Sequence, residues 1–483
     1  MKTVFHFRKA FLAVACAGVF FGLLATPPLA NAQMWTSANF YGGVRGFNQP
    51  YDYSLSSYQA AAAYGANVIR FFIDNRTAAG GLSNNGSQYR IGNGAYGTFD
   101  LTALDGMLAN AQSAGLKVIL VIDDGKVLFA PSGSGFNSAS LQNSFVAMWQ
   151  ALATHYKAGT TYANTIAGYD LWNEPVGYNG NSLGNGPWIP LSQTTTSAIR
   201  VIDPDHVIIW EPANWGLPYG FDGITTMPLA SYGNIVYSYH AYDPHLFTAN
   251  GVGNPYGVMY PNPSLACFSG GTPLNWNAST LGPNGLNCDG SGRQTILDLQ
   301  AKYNFPIYVG EFSAYTASVT NGEGDPSATD WVRDSIVYFE SKGFSWTYHS
   351  WRECYCWDAE ITQAEAVRIM NGGSGINRTS TAPTITVLKQ YFAKNKVQSP
   401  NGAQATPGSG TLTDASGNAW TVTAAGVVQK NGANAGSSAN VVMILWYNGN
   451  IYQTNSASGN PPSGWWEWLG TSWSSQLPGD PRG

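Results

Sequence analysis

The residues able to do chemistry sit at the ends of apolar runs. Asn173 and Glu174 close the run 166–172, His240 and Tyr242 close the run 235–239, and Glu311 stands near the end of the run 306–312. Two carboxylates from separate strand ends can work as a pair. One is neutral and gives a proton, while the other is ionised and attacks or activates water. That division of labour splits a glycosidic bond, and it needs surroundings that push the two pKa values apart. Glu174 is read as a general acid/base and Asn173 as its substrate-orienting neighbour.

Such residues must be brought together by a scaffold. Apolar runs that turn polar only at the C-terminal tip are expected to be buried parallel strands. Pro175 stops the ladder just past Glu174. Strands are predicted over 44–48, 67–73, 117–123, 166–172, 206–210, 235–240, 306–312 and 344–349. Helices are predicted over 55–64, 100–113, 141–156, 188–202, 294–303, 330–342 and 384–395. Gly115 is expected to cap the second helix and Asp203-Pro204 to stop the fourth. Alternation of this kind over roughly 350 residues predicts an α/β fold, a (β/α)8 TIM barrel with enlarged top loops. Catalytic side chains sit at the strand tips of such a barrel. An open doubly wound sheet would need a Gly-rich phosphate turn after its first strand, and none stands there.

The Asn173-Glu174-Pro175 motif, His240 with Tyr242, Gly310-Glu311-Phe312 and Arg70 on the second strand together resemble the cellulase-like glycoside hydrolases of family 5. That family belongs to the clan of retaining (β/α)8 enzymes, and the resemblance covers residues 42–396. It implies Glu174 as acid/base and Glu311 as nucleophile. It further implies that Asn173 binds the 2-hydroxyl at the bond being cut, that Tyr242 hydrogen-bonds the nucleophile and that Arg70 holds it ionised. His240 would line the same subsite, and Trp346 or Trp351 would supply an aromatic platform. This sequence departs from the family where the third strand usually ends in His. Ile122-Asp123-Asp124 stands there, and Asp123 is expected to accept from a sugar hydroxyl instead.

The implied activity is endo-hydrolysis of β-1,4-linked glucan by double displacement, without metal or organic cofactor. The carboxyl groups should then stand about 5–5.5 Å apart. The same machinery in this family also cuts β-mannan, β-1,3-glucan, xylan or glycolipid headgroups. A non-catalytic polysaccharide-binding protein is the reading from another class. Glu211 is read as cleft wall rather than catalyst, and Trp188 and Trp215 as either ring-stacking residues at the cleft edge or loop anchors.

Composition agrees with a carbohydrate partner. Only 11% of residues are charged, against roughly 25% in ordinary soluble proteins. Residues 1–32 read as an export signal: Lys2, Arg8 and Lys9 precede an apolar stretch over 10–24, and Ala30-Asn31-Ala32 offers the cleavage site. A lipid-modified Cys16 is the lesser alternative. Cleavage near Gln33 would move the net charge from −5 to about −8. A mildly acidic chain without a Lys/Arg cluster argues against nucleic acid and anionic membrane surfaces. A secreted monomer is expected. Cys267, Cys288, Cys354 and Cys356 favour disulfides in an exported chain, with all three pairings open.

The catalytic domain is placed at 33–397, with the long loop over 247–292 roofing part of the cleft, and a linker at 398–410. Residues 411–483 form a small all-β module, with Asn431-Gly432 and Asn448-Gly449 as hairpin turns. Trp420 and Trp446 are expected in its core. Trp465, Trp466, Trp468 and Trp473 are expected at its surface as sugar-stacking rings.

Overall fold

The computed structural model describes residues 34–49, 53–74, 81–82, 89–90, 101–122, 139–175, 185–213, 215–242, 245–249, 296–316, 327–395, 399, 401–414, 418–455 and 464–482. The 1–32 signal, Asp123, the 247–292 roof beyond Ala249, and Cys267 and Cys288 lie outside the described residues.

Eight parallel strands close into a barrel. They are β1 (Arg45–Gln49), β2 (Val68–Asp74), β3 (Lys117–Ile122), β4 (Ile166–Asp170), β5 (Ile208–Trp210), β6 (Ile235–Ala241), β7 (Ile307–Phe312) and β8 (Ser345–Tyr348). Each pairs with its sequence neighbours, and β8 pairs back to β1 with Trp346 opposite Arg45. The predicted TIM barrel is the observed fold. Helices pack outside it: α1 (Leu55–Ala63), α2 (Thr102–Ser113), α3 (Ala139–Tyr156), α4 (Asn185–Ile202), α5 (Ile296–Tyr303), α6 (Ser327–Ser341), α7 (Gln363–Met370) and α8 (Pro383–Phe392). Their ends obey local chemistry. Ser54 accepts the Ser57 N–H at the start of α1, Gly115 takes φ +78° after α2, and Pro383 opens α8.

Several connections among the described residues differ from the simple alternation, such as the short strands Gly81–Leu82 and Tyr89–Arg90 between β2 and α2. Between β5 and β6 the described chain forms only short 3-10 turns, Pro218–Phe221 and Ala230–Tyr232. Pro212, Gly216, Pro218, Gly220, Gly223 and Pro228 punctuate that segment too closely for a helix. The extra helix α7 follows the eighth strand, its N–H groups capped by Thr362.

The barrel interior is layered. Val44, Val68, Ile119, Ala167, Val207, Ile209, Val236 and Tyr308 form an apolar floor, and Phe40 packs into it from the 3-10 turn Ser37–Phe40. The polar layer lies above the floor, toward the strand tips.

Residues 404–467 build two antiparallel sheets from β9 (Gln404–Ala405), β10 (Leu412–Thr413), β11 (Ala419–Val422), β12 (Val428–Lys430), β13 (Ala433–Asn434), β14 (Val441–Tyr447), β15 (Asn450–Asn455) and β16 (Trp465–Glu467). The sheet orders are β9-β14-β15-β16 and β10-β11-β12-β13. The 398–410 stretch is therefore not bare tether, since Ala405 pairs with Ile444 and is buried. Asn448 (φ +46°) and Gly449 (φ +83°) turn β14 into β15 as expected.

Of the four tryptophans expected at the surface, Trp465 is buried, while Trp466, Trp468 and Trp473 are half-buried. Trp465 packs with Leu445 and Tyr452, apart from the cluster that holds Trp420 and Trp446. Trp468 and Trp473 fold edge-on against Trp420, with ring centroids 5.4 and 6.5 Å from it. A module this small draws its largest apolar rings at least partly into its interior.

Candidate active site

Arg70 organises the polar layer. It follows Val68 by two residues on β2, so both side chains share the inner face. Its guanidinium is wholly buried, with each nitrogen engaged. Nε donates to Asp170 Oδ2 (2.8 Å), Nη1 to Asn48 Oδ1 (3.1 Å) and Glu311 Oε1 (2.8 Å), and Nη2 to Asn173 Oδ1 (3.0 Å) and Glu211 Oε1 (2.8 Å). Arginine's fixed fork of donors suits this role; a lysine could not reach so many acceptors. The buried charges are tolerable only because each is paired and hydrogen-bonded.

Glu311, near the tip of β7, is held from every side. Besides Arg70, the Tyr242 hydroxyl donates to Oε2 (2.8 Å), and His240 Nδ1 and His349 Nδ1 stand 3.8 and 3.7 Å from that oxygen. Burial alone would raise its pKa. The charges of His240, His349 and Arg70, with the Tyr242 hydrogen bond, outweigh burial and hold it at about 2.

Glu174 follows Asn173 beyond the end of β4, where Asn173 N–H still donates to Ile122 O on β3 (2.7 Å). Its side chain keeps 24% of its surface, against 7% for Glu311. Burial raises its pKa, as do the nearby charges of Glu311 and Glu211, against the pull of His240. His240 Nδ1 meets Glu174 Oε1 at 2.8 Å, and its Nε2 meets Glu211 Oε1 at 3.1 Å. Flanking carboxylates raise the His240 pKa in spite of burial. Carboxyl oxygens of Glu174 and Glu311 and a His240 nitrogen lie within 4.8 Å of one another. That triangle could span a cation. However, both nitrogens of His240 already face carboxylates, and a protonated imidazole has no lone pair to give a metal. The set is built for proton transfer.

The structure thus brings together Arg70, Asn173, Glu174, His240, Tyr242 and Glu311, as the sequence suggested. Trp346 and Trp351 do not join them. Trp346 points outward from β8, stacks on Phe392 and donates to Glu340. Trp351 is buried against Phe47 and donates to Ser57 on α1. The cause is alternation: Trp346 and Tyr348 face the helices, so Thr347 and His349 face inward. His349, Asn48 and Asp170 were missed, as was Glu353, which meets His349 Nε2 at 3.0 Å. His349 is the polar tip of the last strand run, the same signal that exposed the other tips. Trp188 is an anchor, buried and donating to Glu211 O (2.8 Å). Trp215 is 37% exposed.

A parallel eight-stranded barrel presenting two close carboxylates at its strand tips, one held ionised and one held toward the neutral form, defines a glycoside hydrolase. The family follows from the sequence match: residues 36–354 fit the model for cellulase, glycosyl hydrolase family 5, and the chain belongs to that family. Solved structures share the fold. Thermotoga maritima Cel5A in complex with cellobiose is 18% identical with a TM-score of 0.51, over 73% of this chain and 99% of that one. The same enzyme with mannotriose gives the same values. Another glycoside hydrolase structure is 19% identical, with a TM-score of 0.51 over 72% of this chain and 98% of that one.

Proposed function

We propose that this chain is an exported, retaining endo-β-glycosidase that hydrolyses β-1,4-linked glucan. The observation that carries the mechanism is the approach of the Glu174 and Glu311 carboxyl oxygens to within 4.8 Å. A gap of this size fits carboxyl groups about 5–5.5 Å apart, and an inverting pair needs about 6.5–9.5 Å to seat a water. Glu311, ionised, attacks the anomeric carbon, while Glu174 gives its proton to the departing glycosidic oxygen. The resulting glycosyl–Glu311 ester is then opened by water, whose proton returns to Glu174. Tyr242 and Arg70 hold the attacking carboxylate, and Asn173 stands beside the acid where a 2-hydroxyl would lie.

Glucan is supported by the family's cellulase character and by the cellobiose bound in the related Cel5A. Mannan is the second reading, because that same enzyme was solved with mannotriose. Export is supported by the leader pattern of residues 1–32. Cys354 and Cys356, whose sulfurs are at bonding distance, would be oxidised in that setting.

The test is a panel of β-glucan, β-mannan and xylan with the anomer of the first product read by NMR. Retention with preference for glucan is expected; initial inversion defeats the mechanism, and preference for mannan defeats the substrate. Glu311→Gln should lower turnover by more than the ~10²–10⁴ that loss of an acid/base group costs. A loss of only a few fold contradicts the nucleophile role.

A further inference from the structure

We propose that Glu211 is a positioning residue for the acid/base: it pins the backbone of Glu174 and turns His240 onto the Glu174 carboxyl, without itself meeting substrate. The inference rests on the acid/base role proposed for Glu174.

Three observations carry it. First, Glu174 has φ +51°. A non-glycine residue in the left-handed region costs on the order of 1–3 kcal/mol and persists only where its surroundings impose it. Pro175 adds to that strain, since the residue before a proline favours extended backbone. The Glu174 N–H donates to Glu211 Oε2 at 3.0 Å, and this bond is part of what imposes the conformation.

Second, Glu211 Oε1 engages His240 Nε2 at 3.1 Å, which leaves Nδ1 aimed at Glu174 Oε1, 2.8 Å away. The carboxylate thus sets both the ring's orientation and its proton count. Third, the loop after β5 is shaped around this carboxylate. A Cβ on Gly216 would come within 2.8 Å of Glu211 Oε2, and the Gly216 carbonyl accepts the His240 N–H at 2.8 Å. Glu211 is 1% exposed, so it has no access to a sugar. Glu211 joins Asp170 and Glu311 as a buried carboxylate around Arg70, and so much buried negative charge is unfavourable in itself. What sets Glu211 apart from Asp170 is its pair of bonds to the Glu174 N–H and to His240.

Glu211 also accepts from Arg70, so it could instead act on the nucleophile. The two routes separate by leaving group. Departure of phenol from an aryl glycoside needs a proton, whereas dinitrophenolate leaves without one; both need Glu311. Glutamine at 211 keeps the shape but has one acceptor oxygen. If that oxygen serves Arg70 and His240, the amide NH2 faces the Glu174 N–H, and the acid is released.

The experiment compares kcat/KM for phenyl and dinitrophenyl β-cellobioside in wild type, Glu211→Gln, Gly216→Ala and Glu174→Ala. In Glu211→Gln the phenyl substrate should lose about tenfold to a hundredfold while the dinitrophenyl substrate changes less than about threefold. Gly216→Ala should show the same split through the crowded carboxylate, which covers the case in which Glu211→Gln does not fold. Equal losses on both substrates, or no loss on either, overturn the positioning role. Glu174→Ala is the control for the underlying reading. If it shows the split and the other two do not, only the role of Glu211 fails; if it shows none, the acid assignment itself fails. Should wild type cleave neither cellobioside, the glucan reading falls and the matching mannobiosides carry the comparison.

Discussion

At the scale of single residues, the site separates two chemically identical carboxyls by what surrounds each. Glu311 has cationic neighbours on several sides, while Glu174 has two carboxylates nearby and one histidine. The acid limb of kcat/KM, set by ionisation of Glu311, should therefore lie well below the ordinary carboxylate range. His349→Gln removes one of the cations. The Glu311 pKa then rises toward its ordinary 4.5, and the acid limb moves to higher pH in a pH–rate profile. An unmoved limb would mean that His349 carries no charge there. The sign for stability is parallel. A depressed pKa supports the folded state above 4.5, and that support is lost as pH falls toward about 2.

At the scale of elements, parallel strands do the positioning through register and alternation. Gly310 shows how tightly. A Cβ there would stand 2.8 Å from Ser238 Oγ and 3.0 Å from His240 Nε2 on the adjacent β6. Gly310→Ala should lower stability by about 1–3 kcal/mol. It should also lower kcat/KM by about a hundredfold through the displaced histidine. Thermal melts and initial rates check both; wild-type activity would show that β6 yields freely. The strand tips were legible in the sequence because an apolar run that ends in Glu, His or Asn has a local pattern. What a tip residue touches was not legible. Glu211 beside Pro212 looks the same whether it faces a sugar or a guanidinium, and only the packing of β2, β5 and β6 decides. Trp346 failed as a platform because one step of strand parity separates the cleft from the helix layer. Trp465 failed as a surface ring because composition does not say which rings a small core will consume.

At the scale of the whole molecule, barrel and module keep separate apolar cores. They meet at the floor of the barrel. Ala38, in the 3-10 turn that precedes β1, lies 3.2 Å from where a Gly449 Cβ would be. Asn418 and Asn431 share a cleft there with Arg45, Glu340 and Lys394, whose charges pair with one another. A chain ended at residue 398 should fold and cleave soluble cello-oligosaccharides with unchanged kcat/KM. Circular dichroism with rate measurement tests this, and loss of the barrel's melting transition would show that the module is part of its fold.

The meeting of module and barrel at the floor has a practical corollary. The Gly449 turn and the Asn418 and Asn431 side chains lie at the end of the barrel opposite the strand tips. A bead, surface or partner enzyme attached beside the Gly449 turn would therefore sit on the side of the barrel away from its catalytic strand tips.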